Sequence, residues 1–259
     1  MKSIWKWVIA GAVILAVGLI ILISTLAVNG WSIKAKFEMQ TFTATDDNTY
    51  LEIDIGASEL KTEFYDGETI EISYPAGKGL KTGISEKQGK LTFESKPKWF
   101  AQLFNTPKVP ETVIKLPKDK VIDLEIDLGA GTISLAGGVY GNILIDVGAG
   151  TIKGKNLECK TLDCDISAGT ADFKSVTCSS LICDVSAGKL DISSLTCPDI
   201  KADVSAGKIT LGINGVKSEY TILADVSAGS CNVSSQIGST DKKLDVDCSA
   251  GSITVTFNA

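Results

Sequence analysis

Two rows of side chains in this chain are of types that could do chemistry. The first is Asp127, Asp146, Asp165, Asp184, Asp203, Asp225 and Asp247, separated by 19, 19, 19, 19, 22 and 22 residues. If the spacing stacks them one strand apart, the carboxylates repel unless something compensates. Hard cations such as Ca²⁺ suit oxygen donors of this kind. Short acidic side chains at turns instead accept local backbone N–H bonds. We adopt the local reading, because seven copies of one Asp do not make one special place. The second row is cysteine: Cys159, Cys178 and Cys197 differ by 19 residues, as do Cys164 and Cys183. This spacing follows the aspartates rather than a zinc-ligand pattern. Coils stacked at that period would bring Cα atoms to ~4.8 Å, within the range a disulfide allows. Seven cysteines is an odd number, and we read them as free apolar thiols on the inner side.

Other chemistry is excluded by what the chain lacks. It contains no His and no Arg, so there is neither an imidazole proton shuttle nor a bidentate guanidinium fork. Serine–histidine and cysteine–histidine catalysis are ruled out. The net charge of −6 disfavours nucleic acid as a partner. Carboxylates ~5 Å apart would match a retaining glycosidase. Coils of 19 residues, however, leave no chain for cleft walls, and only the two 22-residue coils carry spare residues, around Asn214-Gly215 and Gly238-Ser239. The repeated G-A-G and S-A-G strings open no helix and are no nucleotide fingerprint. No catalytic, cofactor-binding or metal-binding residue is assigned.

The element that must position these rows is read from the phrase around each Asp: apolar, Asp, apolar, Gly or Ser, Ala, Gly. A fixed period near 20 with Gly at a fixed offset signals a solenoid. Three residues before the Asp lie Leu124, Ile143, Leu162, Leu181, Ile200, Ile222 and Leu244, and one after it Leu128, Val147, Ile166, Val185, Val204, Val226 and Cys248. Together with the invariant Ala three after the Asp, these offsets share parity and are expected to face inward, with the Asp outward. The following Gly marks a corner. The apolar column resumes at Ile133, Ile152, Ala171, Leu190 and Ile209, continues at Leu135, Phe173, Ile192 and Leu211 with Gly154 as its gap, and has a third side at Leu157, Val176 and Leu195. Stacked in chain order, the coils from Asp127 to Asp247 make a rod of roughly 30 Å.

Domain organisation follows in chain order. Residues 7–28 read as a transmembrane helix, since Val8 to Val28 is uncharged and long enough to cross ~30 Å of hydrocarbon, with Trp5, Trp7 and Trp31 at its ends. Residues 1–6 form a cytoplasmic tail, which places residues 34–259 outside. Residues 29–48 read as a polar linker. Residues 49–120 form an irregular N-terminal β region and cap, opened by LEIDIGASEL, where Ser58 replaces the corner Gly; strand-like runs follow at 69–74, 90–94 and 112–116. Within it, residues 96–110 place Trp99, Phe100, Leu103 and Phe104 at helical spacing, read as a short capping helix. Residues 121–259 form the regular β-solenoid.

The order of an N-terminal span, LEIDIGASEL, the Pro-ended strand VIKLP, LEIDLGAGTISL and repeated D-V-S-A-G resembles the bacterial putative-adhesin family. The resemblance covers roughly residues 49–259 and implies a β-solenoid associated with envelope-stress membrane proteins and a non-enzymatic binding or scaffolding role. No site residue is carried over from it. The expected protein is all-β: a parallel β-solenoid with ~19-residue coils behind one transmembrane helix, anchored in the cell membrane, with envelope proteins or cell-wall polymers as partners and no nucleic acid. The alternative function is cation-dependent binding or cleavage of cell-wall polysaccharide.

Overall fold

A computed structural model describes residues 37–45, 48–98 and 109–258. The proposed tail, the span at 7–28 and residues 99–108 of the aromatic segment lie outside the described residues. Among the described residues no helix is long and apolar enough to cross a membrane. Among the described residues the regular elements are all strands apart from one 3-10 turn, Lys217–Glu219, and the strands hydrogen-bond into one continuous sheet.

The repeat phrases pair parallel and in register. Asp127 lies beside Asp146, Asp146 beside Asp165, Asp165 beside Asp184 and Asp184 beside Asp203. LEIDIGASEL joins the same stack, with Asp54 opposite Asp127 and Ser58 opposite Gly131. The inner columns fill the core: Leu128, Val147, Ile166 and Val185 are inaccessible to solvent, as are Ile152, Ala171, Leu190 and Ile209. Gly154 leaves no void, because a Cβ there would meet Leu157 Cδ1 at 2.9 Å and Phe173 Cδ1 at 3.1 Å. The aromatic ring on the next coil takes the missing volume, as close packing requires.

The corner differs by one residue from the expected one. Ala149, Ala168, Ala187, Ala206 and Ala250 are exposed, and it is the following Gly that turns toward the interior. The bend occupies the two residues before that Gly, so inward parity is regained one position later. A Cβ on Gly188 would lie 2.5 Å from the Gly169 carbonyl oxygen and 2.6 Å from Ile166 Cγ2. Backbone crowding from the preceding coil, rather than a left-handed φ, therefore demands glycine there. Gly131 is the exception, with φ +105° above Ser58.

Coil order departs from chain order at the C-terminal end. The Lys242–Cys248 strand pairs with Asp199–Val204 on one side and with Tyr220–Val226 on the other, so the last coil sits between the two that precede it. The Ser252–Asn258 strand is likewise held between Lys208–Asn214 and Ser230–Cys231. The three extra residues in each 22-residue step give the chain length to climb two rungs and return by one. Tyr220, 1% exposed, spans the inserted coil: its hydroxyl donates to the Cys197 carbonyl at 2.8 Å, and its ring lies 5.7 Å from that of Phe257. Cross-strand charge also favours this order. Asp199 stands beside Lys243, and Lys201 beside Asp245, a two-by-two checkerboard of alternating sign. Chain order would instead set Asp199 and Lys201 beside Thr221 and Leu223, losing opposite-charge neighbours worth a few tenths of a kcal/mol each.

Both ends of the stack are closed by strands that change direction or stop. At the N-terminal end the 16-residue strand Tyr50–Tyr65 lies between Asp123–Leu135 and the parallel strands Lys90–Pro97 and Thr112–Pro117. Antiparallel strands follow: Leu80–Lys87 on Lys90–Pro97, and Glu71–Gly77 on Thr112–Pro117. Residues 37–43, expected within a polar linker, form the strand Phe37–Thr43 antiparallel to Glu71–Gly77. Their lack of a buried periodicity concealed it, since this strand pairs through its backbone at the sheet margin with most side chains exposed. At the other end Asn232 acts as a false rung, its Nδ2 donating to the Val255 carbonyl and its Oδ1 accepting from Val255 N, both at 2.8 Å. Gln236 exchanges two 2.9 Å backbone bonds with Ile222, and Ser235 Oγ accepts from Ala224 N at 3.0 Å.

Candidate binding groove and carboxylate ladder

The repeat phrase gathers eight carboxylates into one outward column, in the order Asp54, Asp127, Asp146, Asp165, Asp184, Asp203, Asp247, Asp225. Seven steps at ~4.8 Å make this ladder about 34 Å long. Among the described residues two rungs form ion pairs, Asp54 with Lys96 and Asp203 with Lys201 (3.0 Å). The N-terminal end of the face is further neutralised by Lys90, 3.2 Å from Glu52 and 3.4 Å from Glu125. Tyr50, donating to Glu125 at 2.6 Å, has its phenol pushed up to about 12 chiefly by that bond.

The middle rungs have no such relief. Partial burial together with the charges of Asp165 and Asp127 holds the Asp146 carboxyl above the ordinary range. Asp184 is raised by burial and by Asp165 and Asp203, and Asp163 by burial and Asp165. Among the described residues the phrase aspartates accept no backbone N–H bond at the corner, which corrects the local reading of the sequence. The physical reason is geometric: the corner N–H groups are taken by the coil below, as when Ser186 N donates to the Ile166 carbonyl and Ala187 N to that of Ser167, at 2.9 and 2.7 Å. No group of three or more Cys, Asp or Glu among the described residues is arranged to hold a metal ion.

Beside the last rungs of this face lies a groove of about 570 Å³. Its floor is the outward side of four neighbouring strands, carrying Ser180 and Ile182, Asp199 and Lys201, Lys243 and Asp245, and Thr221 and Leu223; Thr240 and Asp241 form part of one wall. The wall exists because of the 22-residue coils, whose extra chain is tied down by Ser239 N to the Ser218 carbonyl at 2.9 Å and Thr240 Oγ1 to that of Glu219 at 2.7 Å. Leu223 and Ile182 are 58% and 39% exposed, large apolar side chains open to solvent within a charged surround. Lys201 is held by Asp203, whereas Lys243 forms no ion pair among the described residues. The groove therefore offers the Lys243 ammonium, the carboxylates of Asp199, Asp241 and Asp245, and two aliphatic contacts. The step from 19 to 22 residues was its signal in the sequence; the residues lining it were not singled out, because they come together only through the exchanged coil order.

The cysteines are unpaired thiols, six buried and Cys231 half-buried. Five of them form two inner columns. Cys164 lies beside Cys183, and Cys159 beside Cys178, with Cys197 continuing the second column after the paired Thr177 and Thr196.

A family profile described as Toastrack DUF4097 matches residues 48–259, and the chain belongs to that family. No curated protein matches it. Among solved structures it is similar to a putative adhesin from Parabacteroides merdae, at 15% identity over 86% of this chain and 97% of the other, with a TM-score of 0.48. It is also similar to a putative lipid binding protein from Parabacteroides distasonis, at 16% identity over 86% and 98%, TM-score 0.47. A third similar structure is a putative adhesin from Bacteroides fragilis, at 14% identity over 85% and 97%, TM-score 0.44.

Proposed function

We propose that the protein is a membrane-tethered, adhesin-like binding or scaffold module of the cell envelope, without enzymatic activity, which engages its partner through the groove over the last coils. Residues 7–28 cross the membrane with the N-terminus in the cytoplasm and the β domain outside, and the partner is an envelope protein or a cell-wall polymer. The groove carries this reading: it is where irregular chain overhangs an otherwise uniform surface, and it exposes Leu223 and Ile182 beside Lys243. A central apolar contact ringed by polar groups is the usual anatomy of a recognition patch. The reading is supported too by membership of a family whose profile spans nearly the whole β domain.

The test is co-sedimentation of the full chain in detergent with isolated cell-wall material and with envelope vesicles. Wild type is expected to bind one of them, and Leu223→Asp with Ile182→Ser to lose binding at least tenfold while keeping the wild-type melting transition. Equal binding by the double variant removes the groove from the proposal. Reporter fusions at each terminus check the topology: activity of a cytoplasm-dependent reporter at residue 259 would invert it.

A further inference from the structure

The Cys159–Cys178–Cys197 column stands apart from the other thiols. Its members occupy one inward offset on three successive coils, at 7%, 6% and 2% exposure, whereas Cys164 and Cys183 are 0% and 1% exposed. The middle member therefore has a thiol neighbour on each side. We infer that this column is an oxidation site that forms a single disulfide, always through Cys178, with either Cys159 or Cys197 as partner.

Geometry limits the site to one bond at a time. In-register parallel strands hold Cα atoms ~4.8 Å apart, inside the 4.4–6.8 Å range, but the Cβ atoms must close to ~3.8 Å. Drawing Cys178 toward one coil moves it away from the other. A bond made under such constraint is strained and readily reduced, the behaviour of regulatory rather than structural disulfides. Cys159 and Cys197 are too far apart, at two rungs or ~9.6 Å, to pair with each other.

The two end thiols of the column are the ones set to ionise. Contact with the Cys178 thiol lowers Cys159 and Cys197, and the same contacts push Cys178 up. Complete burial pushes Cys164 and Cys183 up. The thiolate is the attacking species, so reaction begins at an end of the column. With a disulfide as oxidant, the thiolate of Cys159 or Cys197 attacks one oxidant sulfur and expels the other as a thiolate. Cys178, giving up its proton, then attacks the protein sulfur of that mixed disulfide and expels the second oxidant thiol. Two protein thiols become one S–S bond, and one oxidant disulfide becomes two thiols.

The experiment uses the reduced full chain in detergent, treated with excess oxidised glutathione, a linear disulfide, below its melting transition. It is then quenched, denatured, alkylated and analysed by mass spectrometry. Wild type is expected to lose two of its seven thiols, giving linkages of Cys178 to Cys159 and to Cys197, with monomeric mobility on a non-reducing gel. Cys178→Ser is expected to keep all six remaining thiols; Cys178→Ala repeats the test if Ser disturbs folding, each variant being checked by its reduced melting curve. Cys164→Ser and Cys183→Ser should still lose two. Retention of all seven thiols in the oxidised wild type, a Cys164–Cys183 or intermolecular bond, or unchanged oxidation without Cys178 would each overturn the assignment.

Discussion

Gly188 and Ser186 lie two residues apart on one corner and face opposite constraints. The backbone of the coil below closes on Gly188, with Gly169 O and Ile166 Cγ2 at 2.5 and 2.6 Å from where a Cβ would be. Ser186 is exposed. Gly188→Val is expected to destabilise the domain by about 3 kcal/mol or more, as overpacking against backbone does, and Ser186→Val to change it by less than about 0.5 kcal/mol. Denaturant unfolding of the two variants checks this. The requirement for Gly was legible from its recurrence. That its cause is the carbonyl below rather than a left-handed φ was not, because only the stacking of the coils brings Gly169 under Gly188.

The ladder makes a second prediction at the same scale. The folded-state carboxyls of Asp146 and Asp184 are raised by burial and by neighbouring aspartates. A raised folded pKa means that the native state holds the proton more tightly. Its stabilising contribution is then full below the unfolded pKa, near 4, and is lost as pH rises through the folded value. At pH 7 the ladder therefore works against folding. Asp184→Asn should raise stability at pH 7 by a few tenths of a kcal/mol, discounted for its exposure, and the gain should shrink as pH falls toward 4 or as salt is added. A loss of stability at pH 7 would mean that the carboxylate has a partner. Glu52, lowered by its hydrogen bond from Thr92 and by Lys90, pulls the other way and makes the variant-minus-wild-type difference the proper readout.

At the scale of elements, the repeat predicts the regular coils but neither their order at the end nor the position of Val226, expected inward and 40% exposed on the outermost rung. Each phrase can pair with any other, because the inner columns are alike in size and the register is the same. Order is decided by what is unlike: Tyr220 reaching across to Cys197, the charge checkerboard, and the two longer connections. The longer connections are legible in the sequence as insertions, but nothing in it weighs long-range charge pairs against adjacency in the chain. A double-cysteine experiment separates the two orders. Lys201→Cys with Asp245→Cys, on adjacent rungs here, should be joined by a bifunctional thiol reagent about 5 Å long. Lys201→Cys with Leu223→Cys, two rungs or ~9.6 Å apart, should not. Stacking in chain order predicts the reverse result for both pairs.

For the whole molecule, the two ends are built alike. The first phrase, at Asp54, is covered by strands that come later in the chain, and the last coil is covered by the strand Tyr220–Val226 that comes earlier. In each case a chain-terminal coil lies one rung inside the stack, and an intervening segment closes the end. A solenoid stacked in chain order loses only its outermost rung when its C-terminus is trimmed, since each repeat touches only its neighbours. Here the chain stopped at Asp241 should lose more. Removing Lys242–Asn258 strips the strands that hold both Tyr220–Val226 and Ser230–Cys231, leaving these without a parallel partner and baring the Asp203 coil, where Val204 is 3% and Ile209 0% exposed. Hydrogen exchange on the truncated chain should then show protection lost from residue 220 onward, with Leu51–Ile55 and the Asp127 to Asp184 coils still protected. Cleavage by a nonspecific protease should settle near residue 215. Protection retained across residues 220–226 would mean that the earlier coil can drop one rung and dock directly on Asp199–Val204, so that the exchanged order is a preference set by the last coil and not a requirement of the fold.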